Sequence, residues 1–207
     1  MQEVVFTVGH SIHPQKRFIA LLLQHRITAL CDVRSKPYSR VNPQFNREEL
    51  NESLRECSIK YVFLGKELGA RSEDPACYEN GKVLYDRLAR TDLFRLGLER
   101  VQKGMKDYRL VLMCAEKEPI ECHRAILVAR HLADLGIGVQ HIHADGRLES
   151  HADALSRLVR ILKLPEHDMF QSREELLLEA YRRQEGRIAY DSGEAVPADA
   201  SASGAAG

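Results

Sequence analysis

At 207 residues the chain suits one domain, or one domain with a tail. Hydrophobic residues make up 44% of it, but with no Trp and only 6% aromatics the core must be mostly aliphatic. Lys+Arg and Asp+Glu balance at 30 each, which excludes a protein that coats nucleic acid by bulk charge and leaves room only for local basic patches. The five cysteines (Cys31, Cys57, Cys77, Cys114 and Cys122) are odd in number and irregular in spacing, unlike a secreted disulfide framework, and read as thiols of a reducing compartment. The opening is a strand pattern rather than a signal peptide, and no apolar run approaches the roughly 20 residues that span a bilayer. The expectation is a cytoplasmic protein with no membrane partner.

"EVVFTVGHS" is a β-branched run ending in Gly9, His10 and Ser11, and "PQKRFIALLLQHR" follows with helical spacing of Phe18, Leu21, Leu22 and His25. "ITALCDVRS" is a second strand ending in Asp32, Val33 and Arg34. The loop "KPYSRVNPQF" leads to the helix "NREELNESLRECS", where Asn46 and Glu49 fit a capping box. "IKYVFLG" is a third strand, followed by a long polar loop with an Asn80-Gly81 turn and two helical segments. "YRLVLMCAE" is the fourth strand, and "PIECHRAILVARHLADLG" has the marks of a helix with Pro119 in its first turn and Gly136 at its C-cap. "IGVQHIHADG" is a fifth strand and "ESHADALSRLVRILKL" an amphipathic helix. Past about Gln184 the composition turns small and polar, which predicts a disordered tail over 185–207 after a single α/β domain over 1–184.

Strands alternating with helices predict an α/β three-layer fold: a mainly parallel sheet of about five strands with helices on both faces. In such a sheet ligands bind at the carboxyl ends of the strands. Those ends carry His10 and Ser11, Asp32 and Arg34, Cys114 and Glu116, and then His143 and Asp145. The catalytic candidates are His10, Asp32, Cys114, Glu116 and Cys122. Cys122 is expected at a helix start, where amides and neighbouring cations lower a thiol pKa. The substrate-binding candidates are Ser11, Arg34, Ser39, Arg40, His123 and Arg124, for a phosphate-bearing small molecule or nucleic acid. No metal ligands are assigned: C-x7-C-H is not a known close zinc spacing, and adjacent Cys and His side chains diverge on a helix. His25, His131, His151 and His167 read as ordinary helix or surface histidines.

No glycine fingerprint for a dinucleotide or a P-loop occurs, nor a G-x-S-x-G elbow, so no cofactor is specified. Three readings stay open: an enzyme, a non-catalytic nucleotide or nucleic-acid binding module, and a buried polar network that only braces loops.

"TVGHS", "DVRSKPYS", "YVFLGKELGAR", "LMCAEKEPIECHR" and "HIHADG", in that order, resemble the uncharacterised family called domain of unknown function 488, from about Val4 to Gly146. The resemblance implies a compact α/β fold. It also implies motif positions at His10, Ser11, Asp32, Arg34, Pro37, Ser39, Cys114, Glu116, Cys122, His123 and Arg124. It implies no activity.

Overall fold

The computed structural model describes residues 4–165 and 172–193. Six strands form the main sheet: β1 (Val4–Gly9), β2 (Ala29–Asp32), β3 (Lys60–Phe63), β6 (Leu110–Cys114), β7 (Gly138–Ile142) and β8 (Leu148–Ser150), in the order β3-β2-β6-β1-β7-β8. The first five are parallel; β8 returns antiparallel to β7. The expectation of about five strands thus misses β8, whose hairpin turns at Asp145-Gly146, Gly146 having φ +90°. That Asp-Gly pair is a hairpin signal in its own right. The Asn80-Gly81 turn joins a second, two-stranded hairpin, β4 (Tyr78–Glu79) and β5 (Lys82–Val83).

Side chains of the central strands alternate between two cores. On one face, Phe6, Val8, Leu30, Val111 and Met113 pack against Phe18 and Leu22 of α1 (Gln15–Gln24) and Leu50 and Leu54 of α2 (Arg47–Glu56). On the other, Cys31, Leu110, Leu112 and Cys114 meet α5 (Asp92–Met105), the segment Arg124–Asp134, α7 (His151–Ile161) and α8 (Arg173–Ile188). The sheet is therefore the middle of three layers, and α/β is the fold class.

Topology locates a crevice. β1 passes through α1 to β2 on one face, whereas the neighbouring β6 passes through Arg124–Asp134 to β7 on the other. Where two adjacent strands send their connections to opposite faces, their carboxyl ends part to leave a ligand-sized cleft. Gly9 pairs in register with Cys114 there, and the His10 N–H continues the ladder to the Cys114 carbonyl at 2.9 Å. Gly9 is required by this close approach: a Cβ on it would lie 1.8 Å from the Glu116 carbonyl oxygen.

Three local expectations are corrected. Asn46 precedes α2 but does not cap it, because its Oδ1 accepts the Ser39 N–H at 2.7 Å instead. The helix expected from Pro119 is broken. A 3-10 turn spans Pro119–Glu121, Cys122 is extended (φ −138°, ψ 142°), a π-helix spans Arg124–Ala129, and α6 (Arg130–Asp134) completes it. Finally, the tail expected from 185 begins inside α8, which reaches Ile188. Beyond it the Tyr190 carbonyl accepts from Val83 N–H at 2.9 Å, and Asp191 bridges to Lys82. The remaining tail, 194–207, lies outside the described residues, as does His167.

Candidate functional site

The sequence candidates separate into two groups. The first is a brace. Asp32, fully buried at the end of β2, accepts four hydrogen bonds: Arg34 N, Arg34 Nε (2.9 Å), Arg34 Nη2 (2.6 Å) and Tyr61 Oη (2.8 Å). Arg34 also donates to the Phe45 carbonyl at 2.8 Å, and its Nη1 lies 3.2 Å from His10 Nε2. His10 Nδ1 donates to the Ser11 carbonyl at 2.9 Å, so its Nε2 lone pair faces Arg34, and its ring stacks on Phe45 with centroids 4.3 Å apart. Burial, above all, drives the His10 pKa down to about 4. Asp32 and His10, expected as acid/base groups, and Arg34, expected to grip substrate, are thus committed to one another. Ser39 is occupied too, its Oγ accepting from Val41 and Asn42 N–H in its own loop. Ser11 sits in the left-handed region (φ +48°), with its N–H on the Ala115 carbonyl, and Arg40 is exposed on the β2–α2 loop.

The second group is a quartet. Cys114 Sγ, Glu116 carboxylate, Cys122 Sγ and His123 Nδ1 all lie within 4.8 Å of one another. Cys114 comes from the end of β6. Glu116 comes from the loop that rests on Gly9, and Cys122 and His123 from the break between the 3-10 turn and the π-helix. The divergence expected of a helical Cys-His pair does not occur, because Cys122 is extended and only His123 is helical (φ −57°). His123 Nε2 lies 3.1 Å from the Val33 carbonyl, which only accepts, so Nε2 carries the proton. The Nδ1 lone pair then points at both sulfurs, 3.6 Å from Cys114 and 3.8 Å from Cys122. Cys122 Sγ donates to Glu116 Oε2 at 2.9 Å and accepts the Arg124 N–H at 3.4 Å.

Electrostatics make the two thiols unequal. Burial, reinforced by Cys122 and Glu116, pushes the Cys114 thiol well above its usual range. Burial opposes the Cys122 thiolate as well, but the Cys114 hydrogen bond, Arg124 and His123 outweigh it and bring Cys122 well below that range. His123 is raised despite burial, because Cys122 and Glu116 favour its charged form. Arg124 has no solvent exposure; it donates to the Glu116 and Lys117 carbonyls at 2.7 and 3.2 Å, clamping the loop over the site. Both sulfurs are buried, whereas Glu116 as a residue is exposed, although burial and the neighbouring Cys122 raise its carboxyl above the usual carboxylate range.

A further buried chain is one the sequence reading missed. Thr7 Oγ1, His141, His151 and Tyr181 Oη are linked in series at 2.7, 3.0 and 2.9 Å. His151, expected as an ordinary helix or surface histidine, opens α7 and is 5% exposed. The i+3, i+4 and i+7 positions from it on the apolar face of α7 (Ala154, Leu155, Leu158) carry the signal that would have placed it inside.

No described helix is long and apolar enough to cross a membrane. No curated protein and no solved structure matches the chain. The model of one family, Domain of unknown function DUF488, matches residues 14–131, more than half of the chain, taking in the quartet and Asp32–Arg34 but not His10 or the Asp145-Gly146 hairpin. The chain belongs to the DUF488 family.

Proposed function

We propose that the protein is an enzyme whose reactive centre is the Cys114–Glu116–Cys122–His123 quartet, acting on a small anionic substrate. The observation that carries this reading is convergence. Two thiols, an imidazole lone pair and the carboxylate of an exposed residue meet at the point where the strand connections diverge. A polar brace does not call for thiols aimed at a free lone pair. The brace reading is favoured for His10, Asp32 and Arg34, whose polar atoms are mutually satisfied, and these hold the β1 and β2 loops in place.

An anionic substrate is supported by the rim. Lys117 adjoins Glu116, and both Arg17 and Lys117 lie near enough to His13 to depress its pKa together with burial. Lys117 thus stands exposed beside Glu116, with Arg17 in its neighbourhood, while Arg34 and Arg124 are spent internally. The substrate is expected to bear phosphate or another compact anion, held at the rim by charge-assisted hydrogen bonds.

Thermal shift tests the anion. Phosphate or a nucleotide should raise the melting temperature by mass action, and Lys117→Ala should reduce that rise without lowering the unliganded value. Glu116→Gln should cut turnover of the substrate found in a panel of phosphate esters by about 10²–10⁴, the usual range for an acid/base group. No shift with any phosphate compound would contradict the reading.

A further inference from the structure

The geometry points to a zinc-class metal centre: Cys114, Cys122 and His123 are ligands of a divalent transition metal, and Glu116 is the exchangeable ligand on its solvent side. This deepens the reading of the quartet as the reactive centre and rests on it.

The distances fit. Zn–S bonds of about 2.3 Å and a Zn–N bond of about 2.0–2.1 Å, at tetrahedral angles, set the sulfur-to-nitrogen edge at about 3.6 Å. His123 Nδ1 stands 3.6 Å from Cys114 Sγ and 3.8 Å from Cys122 Sγ. The Cys122–Glu116 contact at 2.9 Å is shorter than the corresponding edge of about 3.5 Å, so the carboxylate must withdraw by roughly half an ångström to make room. Glu116, alone of the four, is on an exposed residue that can do so.

The surroundings fit as well. A ligating histidine normally donates its other ring N–H to a carbonyl or carboxylate, and His123 Nε2 does so to Val33. The Arg124 N–H at 3.4 Å from Cys122 Sγ is placed to donate to a metal-bound thiolate. Arg124 provides the independent argument. Its guanidinium is fully buried, bonds only carbonyl oxygens, leaves Nε without a partner and, among the described residues, joins no ion pair. A buried cation calls for a nearby negative charge. A divalent metal with two thiolates and a carboxylate carries net −1, which Arg124 would balance.

Two thiolates with one imidazole select zinc or a metal of similar softness over calcium or magnesium. Binding is balanced by release of two protons from the quartet, one from Cys114 and one shared among Cys122, His123 and Glu116, as the two metal–sulfur bonds form. Three protein ligands in the buried half and an exchangeable one toward solvent is the arrangement of catalytic rather than closed structural zinc sites. A substrate oxygen or water would enter where Glu116 leaves, beside Lys117.

The test uses the full-length chain, stripped of metal and titrated with Co²⁺ and Zn²⁺. We expect one Co²⁺ per chain with thiolate-to-cobalt charge-transfer absorption, displacement of that absorption by Zn²⁺, and about two protons released per metal. Cys114→Ser and Cys122→Ser should lose the band, Cys77→Ser should keep it, and Glu116→Gln should retain one metal per chain with altered visible bands. Circular dichroism identifies a ligand variant that has failed to fold. In that event the wild-type spectrum and stoichiometry carry the decision. No charge-transfer band from the wild-type chain at stoichiometric Co²⁺, or an unchanged band in a folded Cys122→Ser, would overturn the metal centre. If the band is absent but phosphate still stabilises the protein and Cys122 still reacts, the metal assignment falls and the proposed function stands. If all three are absent, both fall.

Discussion

At the scale of single residues, the carboxyl edge is built from two kinds of polar group, and substitutions should tell them apart. Asp32 is saturated with donors and Arg34 is buried against it. Asp32→Asn leaves a buried guanidinium without its counter-charge, so a loss of about 3–5 kcal/mol is expected in denaturant titration. A loss below about 1 kcal/mol would show that the pair does not brace the loops. Gly9→Ala forces a Cβ into the Glu116 carbonyl, backbone against backbone, and should cost about 1–3 kcal/mol while displacing the loop that carries Glu116. The types of residue at this edge were legible in the sequence; their division of labour was not. Asp32 and His10 are spent through Tyr61, Arg34 and the Phe45 carbonyl, partners that no local spacing reveals.

At the scale of elements, the break at Cys122 decides the site. Periodicity over 119–136 read as one helix, and on a helix Cys122 and His123 diverge. Glu118 accepts the Ile120 N–H, the 3-10 turn closes on Pro119, and the chain reopens at Cys122 before helical structure resumes, bringing both side chains to Cys114. The docking of α8 is likewise invisible to composition. Glu185 accepts the Tyr85 N–H at 2.7 Å, and Gln184 donates to the Ile120 carbonyl at 2.8 Å. Truncation after Gln184 should therefore lower the melting temperature by several degrees, whereas truncation after Gly193 should leave it within about 2 °C. Equal melting temperatures for the two would show that 185–193 contributes nothing. The His141–His151–Tyr181 chain joins β7, α7 and α8 and predicts an acid sensitivity. Burial lowers the His151 pKa to about 4 and, with His151 and Arg124 nearby, holds His141 well below its ordinary value. Unfolded histidines titrate near 6.5, so below that pH the unfolded chain takes up protons that the folded one refuses. Stability should fall as pH drops from about 6.5 toward 4, by up to about 1.4 kcal/mol per unit for each histidine. His151→Gln should flatten that slope, and an unchanged slope would acquit His151.

At the scale of the whole molecule, alternation of strands and helices was enough to read a three-layer α/β fold, because short apolar runs such as "LVLMC" have the pattern of central parallel strands. Strand order was not readable, and with it the insertion of β6 between β1 and β2 that sets Cys114 beside Gly9. That insertion makes the crevice, and the account turns on the claim that the quartet in it is a reactive centre rather than core packing. Timed alkylation of the metal-free native chain, mapped by peptide mass, tests this most directly. Cys31, buried and pushed up to about 12, should remain inert, and Cys57 should react in proportion to its partial exposure. Cys122 should react first despite its burial, ahead of Cys114, and Zn²⁺ should protect both. If Cys114 and Cys122 stay as silent as Cys31 until the protein is denatured, with or without Zn²⁺, the quartet is packing and the central claim is contradicted.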